Sequence, residues 1–411
     1  MSNSEPAPRQ MASVDEQLPV LLSGVDYGDD RTRTTMEAEL RQRLEEDRPL
    51  KVYAGFDPTS VDLHLGHTLP IQKLRQFQDF GHDVTFLIGN FTGLVGDPSD
   101  KNKGRPMLTP EQLAENAETY ATQAFRILDD KRTMIRYNAD WLSELTFADV
   151  VRLSSKFTVA QFLERDNFAK RWQRHDAVYL SEFMYAIMQA YDAVAMETDV
   201  QVGGSEQLFN LMAGRTLQRD AGQRPQVLVT LPILVGTDGH ERMSKSTGNS
   251  IGIYDTPNDM YGKVMSLPDH VIIDFFTLVT PLSPDEVQNI DDAVSHGSLL
   301  PMDAKKRLAY EIVAVFSGLE DAASAQMYFE ATIQRQETPQ EMAEFGIDGT
   351  ESLHRVLTEA NLVTSGGEVR RLVGQGAVSV NGDRVEEFTQ LIHPGDEIRV
   401  GRHRFLRVTK L

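Results

Sequence analysis

The chain has 411 residues, no cysteine, 40% hydrophobic and 25% charged residues, and 61 acidic against 41 basic side chains, for a formal charge of −20. Its length allows two or three domains with a large core. The missing cysteines exclude disulfides, zinc fingers and thiol nucleophiles. The acidic balance opposes general nucleic-acid binding, because an acidic surface repels phosphate.

The first 13 residues are small, polar and proline-containing and read as disordered. The N-terminus has no apolar signal region and no run approaches ~18 apolar residues, so the expected location is the cytoplasm, with no membrane partner. Charges spaced between Leu and Met over residues 30–50 suggest an amphipathic helix. "LKVYAGF" then reads as a buried strand and "PIQKLRQFQDFGH" as a helix ended by Gly81. "DVTFLIGNFTGLVGD" is a strand running into a glycine-rich loop. "TPEQLAENAETYATQAFRIL" is a helix with a Thr cap and Pro, and "TMIRYNADWL" a short strand and turn. A helix "SEFMYAIMQAYDAVAM", a strand "TDVQVGGSEQ" and a buried strand "PQVLVTLPILVG" ending at Val235 complete the alternation. Such alternation predicts a Rossmann-like α/β domain with a mostly parallel sheet, whose ligands bind beyond the carboxyl ends of the strands. Beyond residue 258 three helical segments indicate an α-helical domain, and "QETPQEMAEFGIDGTES" reads as a loose polar connection. The last sixty residues contain two short helices and a hairpin turned at Asn381–Gly382, a small α+β domain. The expected boundaries are 1–30 for a partly disordered extension, 31–257 for the α/β domain, 258–340 for the helical domain and 345–411 for the C-terminal domain. Residues 351–411 carry 9 basic against 8 acidic side chains, whereas the remainder carries 32 against 53. The tail therefore escapes the objection to nucleic-acid binding.

Three segments carry polar groups that a core does not need. In "HLGH", His64 and His67 fall on one face of a helix start after a strand, where backbone N–H groups and the helix dipole favour an anion. Helix capping accounts for either histidine equally well, and no third ligand completes a metal site. In "RMSKS", Arg242 and Lys245 lie on a polar loop between Gly239 and Gly248. Basic groups on such a loop can close over a polyphosphate, and a solvated basic turn is the plainer alternative. In "YAIMQAYD", Tyr185, Gln189 and Asp192 form a polar stripe on an otherwise apolar helix, lining a pocket or facing water.

Taken together, "HLGH" and "RMSKS" resemble the HIGH and KMSKS signatures of class I aminoacyl-tRNA synthetases. The spacing of Tyr185, Gln189 and Asp192, with "YAGFDPT", "TGLVGDPS" and "GGSEQ", is similar to that of bacterial-type tyrosyl-tRNA synthetases. The resemblance runs from about residue 52 to the C-terminus. It implies ATP, activated with Mg²⁺, on His64, His67, Asp57, Thr59, Gly204, Glu206 and Lys245, with Arg242 in place of a usual lysine. L-Tyrosine is implied on Tyr53 and Asp192 through its phenol, and on Asp97, Tyr185 and Gln189 through its ammonium. Thr92, Gln201 and Gln207 match further positions of the tyrosine site. Lys101 and Arg105 match basic residues closing over pyrophosphate, with a mobile surface turn as the alternative. Glu206 departs from the family's usual aspartate at a position associated with the ATP ribose. The tail resembles the S-four type of RNA-binding domain, with Arg370 and Arg371 facing tRNA(Tyr) backbone. The helical domain implies an anticodon-arm contact, and the family implies a homodimer joined around residues 141–168. A sibling enzyme adenylating another amino acid, or an RNA-binding or splicing protein on the same scaffold, are the rival readings.

Overall fold

The computed structural model describes residues 11–58, 63–98, 109–164, 166–334, 342–401 and 404–411. They fall into two compact units, residues 1–319 and 320–411. In the first unit five apolar segments form one sheet: β1 (Lys51–Phe56), β2 (Asp83–Ile88), β3 (Thr133–Tyr137), β4 (Val200–Gly204) and β5 (Val227–Leu231). All neighbours are parallel, in the order β3-β2-β1-β4-β5. Parallel neighbours need long crossovers, and helices supply them. The order reverses at β1, so the chain leaves β1 and β4 toward opposite sides and opens a crevice beyond their carboxyl ends.

The strand expected to run to Val235 stops at Leu231. Pro232 has no N–H to continue the ladder, and Val235 makes only an isolated bridge to Arg242. The helices of this part are α1 (Val14–Leu21), α2 (Asp30–Leu44), α3 (Leu65–Asp79), α4 (Pro110–Ala124), α5 (Ala139–Leu142), α6 (Phe147–Ser154), α7 (Val159–Leu163), α8 (Asp166–Gln173), α9 (Leu180–Met196) and α10 (Leu208–Asp220). Four more follow: α11 (Pro257–Met265), α12 (Ile272–Val279), α13 (Pro284–Ser295) and α14 (Pro301–Ser317).

Part of the N-terminal extension is an ordered helix. Ser13 and Glu16 cap α1 reciprocally, and Gln17 and Leu21 are buried. The buried Lys73 of α3 donates to the carbonyls of Val20 (3.1 Å) and Ser23 (2.9 Å), satisfying the exposed end of α1 with a cation. Burial pushes the Lys73 ammonium down to about 7.

The second unit opens with α15 (Leu319–Phe329) and holds α16 (Leu353–Glu359) and α17 (Gly366–Gly374). Its strands are β6 (Ala343–Ile347), β7 (Glu351–Ser352), β8 (Val378–Val380), β9 (Asp383–Arg384), β10 (Leu391–Ile392), β11 (Glu397–Val400) and β12 (Arg404–Lys410). The stretch read as a loose connection contains β6, which pairs parallel with β12. Asn381 and Gly382, with φ of 52° and 92°, make the tight turn between β8 and β9. Leu353, Val356, Val369, Ile398 and Val408 bury together as the core of this unit.

Candidate functional site

The carboxyl ends of β1, β2, β3 and β4 deliver the polar groups, and α9 crosses with its polar stripe. Tyr53 of β1 and Asp192 of α9 are both almost fully buried, at 1% and 3% exposure. Asp192 Oδ1 accepts from Trp141 Nε1 at 2.8 Å and Oδ2 from Asn138 Nδ2 at 3.4 Å. Burial outweighs these donors and raises the Asp192 carboxyl to about 8. The Tyr53 hydroxyl is buried without a hydrogen bond among the described residues. Burial and the nearby Asp192 charge push it well up. The buried Tyr53 hydroxyl beside the Asp192 carboxyl is chemically a receptor for a second hydroxyl.

A second cluster adjoins it. Asp57, just past β1, accepts from Tyr185 Oη at 2.8 Å and from Thr92 Oγ1 at 2.7 Å. Asn138 Nδ2 donates to Thr92 Oγ1 at 3.0 Å, joining this cluster to the one around Asp192. Asp97 Oδ2 accepts from Gln207 Nε2 at 3.0 Å, and Gln207 Oε1 takes the Gly204 N–H at 3.3 Å. Gln189 Oε1 accepts from Asn210 Nδ2 at 2.9 Å. Gln201 lies beneath, receiving Gln226 Nε2, whose own carbonyl oxygen accepts from Thr198 Oγ1 at 2.8 Å. The structure thus places Asp57, expected on ATP, in contact with Tyr185, expected on tyrosine.

The histidines stand at the start of α3. His64 is the cap residue, its Nδ1 accepting from the Gly66 N–H at 3.2 Å, while His67 Nδ1 accepts the His64 N–H at 3.3 Å. Their rings lie against each other with centroids 3.8 Å apart and planes tilted by 31°. The segment following "RMSKS" returns to this point, for Leu65 N–H donates to the Ile251 carbonyl at 3.0 Å and His64 bridges Gly252. Burial lowers His64 to about 4 and His67 to about 3, with Lys245 and Arg242 adding repulsion. Both rings are therefore neutral at neutral pH. The loop of residues 240–249 is built around the buried Asn249, which accepts from Ser244 N–H and Thr247 Oγ1, each at 2.8 Å, and donates to Asp238. His64, His67, Gly204, Glu206, Gln207 and Arg242 line one cavity of about 200 Å³. Among the described residues no three His, Asp or Glu side chains converge on a metal position.

Residues 45–334 match the model for class I tRNA synthetases of the tryptophan and tyrosine type, and residues 351–408 match the S4 domain. The chain is 46% identical over 375 residues to the tyrosine–tRNA ligase of Thermotoga maritima, covering 91% of this chain and 94% of that one. The chain belongs to the tyrosine–tRNA ligase family. The corresponding ligase of Mannheimia succiniciproducens is 46% identical over 400 residues, covering 97% of this chain and all of the other. The fold of this synthetase also matches the tyrosyl-tRNA synthetase of Archaeoglobus fulgidus solved with L-tyrosine, with a TM-score of 0.60 at 23% identity, covering 76% of this chain and 100% of that one.

Of the site residues expected from sequence, Thr59, Lys101 and Arg105 lie outside the described residues. Arg370 and Arg371 are exposed on α17 of the second unit. Arg370 stacks over Phe388 at 4.4 Å, and Arg371 donates to Gln375 at 3.2 Å. Sequence reasoning missed Asn138, Trp141, Asn210 and Gln226. Asn138 carried a signal, being a polar residue just past the carboxyl end of a strand. Trp141 and Asn210 sit on helices and Gln226 just before β5, where only the fold shows what they face.

Proposed function

We propose that this synthetase joins L-tyrosine to ATP, giving tyrosyl-adenylate and pyrophosphate, and then passes the tyrosyl group to the 3′ end of tRNA(Tyr). The tyrosine carboxylate attacks the α-phosphorus, the bond to the bridging oxygen breaks, and pyrophosphate leaves with the electron pair. A terminal ribose hydroxyl then attacks the mixed anhydride and AMP departs with its phosphate. No side chain has to form a bond, so catalysis consists of positioning and charge stabilisation. The buried Tyr53 and Asp192 take the phenol. Phenylalanine would leave the Tyr53 hydroxyl unsatisfied and give Asp192 nothing beyond Trp141 and Asn138, a rejection for which this family is itself the standard example. Asp97, Tyr185 and Gln189 face the ammonium. Neutral His64 and His67 donate to phosphate oxygens, and Arg242 and Lys245 offset the negative charge of the leaving pyrophosphate. Gly204 and Glu206 meet the sugar. Mg²⁺ enters with the ATP phosphates as their counter-ion.

The observation that carries this reading is the buried pair Tyr53 and Asp192, braced by Trp141 and Asn138 and lying beside the cavity of the two histidines. The S4-type unit supplies an RNA contact through Arg370 and Arg371. Exposed Phe147, Val151, Val159 and Leu180, at 84%, 54%, 60% and 75%, fit a homodimer surface within residues 141–180. Among the described residues no helix is long and apolar enough to cross a membrane, and work on tRNA fits the cytoplasm. Amino-acid-dependent pyrophosphate–ATP exchange with each of the twenty amino acids tests the whole reading. Exchange with tyrosine alone is expected. Exchange with another amino acid instead overturns the substrate, and exchange with none overturns the ligase activity.

A further inference from the structure

Lys245 stands on an exposed turn that has no hydrophobic reason to keep one shape. Met243 and Asn249 are buried, at 3% and 5% exposure, while Lys245, Ser246, Thr247 and Gly248 between them are exposed. A long charged side chain on such a turn can serve a reaction only if the backbone beneath it is held. A polar side chain holds it here. Asn249 Oδ1 accepts the N–H of Ser244, the residue before Lys245, and the Thr247 hydroxyl lies 2.8 Å from the same oxygen. The Gly248 N–H closes the turn on the Lys245 carbonyl at 3.2 Å. The other end of the carboxamide reaches back to the stem, where Nδ2 donates to the Asp238 carboxylate and to the Arg242 carbonyl at 3.1 Å. A backbone N–H only donates and an ionised carboxylate only accepts, so the orientation of the amide is fixed.

The stem is itself anchored. Asp238 takes the His240 and Glu241 N–H groups at 2.9 and 2.8 Å, and the His240 N–H, Asn249 and the Glu241 N–H hold its carboxyl down at about 2. Gly236 leaves room for the carboxamide, since a Cβ there would collide with Asn249 Cγ, Nδ2 and Cβ. Among the described residues, every side-chain hydrogen bond of Asn249 ends within residues 238–247. This side chain therefore organises the loop and little else.

We propose that Asn249 is a positioning residue for the adenylation step, presetting the backbone of residues 244–248 so that the Lys245 ammonium reaches the leaving pyrophosphate without first ordering the loop. The proposal rests on the role given to Lys245 in the proposed reaction. Asn249 itself touches no substrate and acts only through the turn that carries the lysine.

The test is a double-mutant cycle in the full-length protein: wild type, Asn249→Ala, Lys245→Ala and the double variant. Each is followed by single-turnover adenylate formation, by tyrosine binding in calorimetry and by melting temperature. Asn249→Ala is expected to form adenylate about tenfold more slowly, the scale of a small misplacement of a charged group, with tyrosine affinity unchanged. In the Lys245→Ala background, removing Asn249 is expected to change the rate less than about twofold. Losses that multiply in the double variant overturn the proposal, because Asn249 would then act elsewhere. So does an Asn249→Ala rate within about twofold of wild type, or an equal loss of tyrosine binding. Asn249→Ser takes the place of the alanine variant if that one does not fold, and loss of the fold in both overturns the proposal by making Asn249 a residue of the whole domain. The underlying reading has its own readout: wild-type kinetics in Lys245→Ala removes the lysine from the chemistry and the positioning role with it, whereas a slow Lys245→Ala beside a fast Asn249→Ala removes the positioning role alone.

Discussion

Trp141→Phe tests how much the tyrosine site depends on a residue expected to touch no substrate. The indole Nε1 donates to Asp192 Oδ1 at 2.8 Å, and the other donor to that carboxylate, Asn138, is at a long 3.4 Å. Phenylalanine keeps an aromatic ring, over which Arg136 lies at 5.0 Å in the wild type, and removes the N–H donor together with the pyrrole part of the indole. Held at about 8, the Asp192 carboxyl is mostly protonated at neutral pH, and hydrogen bonds between neutral groups contribute roughly 0.5–1.5 kcal/mol. Trp141 is only half-buried but its acceptor is almost fully buried, so the upper end of that range applies, about 1.5 kcal/mol or about tenfold in affinity. Losing the donor also raises the Asp192 carboxyl further above about 8, so that it stays protonated to a higher pH than in the wild type. The assay is tyrosine-dependent pyrophosphate–ATP exchange, read as separate KM values for the two substrates. KM for tyrosine is expected to rise about tenfold while KM for ATP stays put, since the indole lies on the tyrosine side of the site. A tyrosine KM within about twofold of wild type would refute the claim that this bond holds Asp192 in its binding geometry.

Other substitutions probe separate parts of the molecule. Lys245→Ala is expected to slow adenylate formation in single-turnover experiments while tyrosine still binds by calorimetry; wild-type kinetics would remove the loop of residues 240–249 from the chemistry. Asp192→Asn reports through stability. The folded carboxyl titrates near 8 against an ordinary 3.8, so its favourable contribution is complete below about pH 4 and is lost as the pH rises toward 8. The variant should therefore gain on the wild type in denaturant titrations over that window, and parallel curves would contradict the raised value. Lys73→Met works in the opposite sense. Folding lowers this ammonium from about 10.5 to about 7, so the wild type should gain stability between pH 7 and 10 as the unfolded chain alone keeps its proton. The variant should lack that slope when both are melted across the range.

The parallel sheet was legible because its strands are short apolar runs separated by helices with clear caps, such as Thr109 before α4. Its ends were less so. The apolar run after β5 continues through Leu234 and Val235, and only the missing N–H of Pro232 marks where pairing stops. β6 was hidden for a different reason. Ala343–Ile347 is five residues long with a glutamate and a glycine, and its pairing is with β12, some sixty residues away. No local pattern announces such a partner. The site shows the same division. Residues on motifs with fixed spacing, His64 and His67 or Tyr185 to Asp192, could be named from sequence. Asn210 and Gln226 only orient other side chains, and that role exists once α10 and β5 are packed against α9 and β4.

The titration behaviour of the two histidines separates their work from that of the basic loop. A histidine beside a triphosphate is easily imagined as a cation. Here burial opposes charge on both rings, and Lys245 and Arg242 oppose it again, so His64 and His67 are held at about 4 and about 3. Each Nδ1 is already committed as an acceptor to a backbone N–H, of Gly66 and of His64. In the neutral ring that assignment places the proton on Nε2, which makes each histidine a fixed donor directed away from its own helix. The two rings, 3.8 Å apart and tilted by 31°, then present two donors without adding positive charge. In the proposed reaction, compensation for the leaving pyrophosphate would fall to Arg242 and Lys245 on the loop. Exchange activity should accordingly show no inflection near pH 6.5 from these rings. Replacing either histidine by glutamine, which keeps a donor, should cost less than replacing it by alanine. Equal losses in the two variants would mean that the rings act through charge or shape instead of through the Nε2 hydrogen bond.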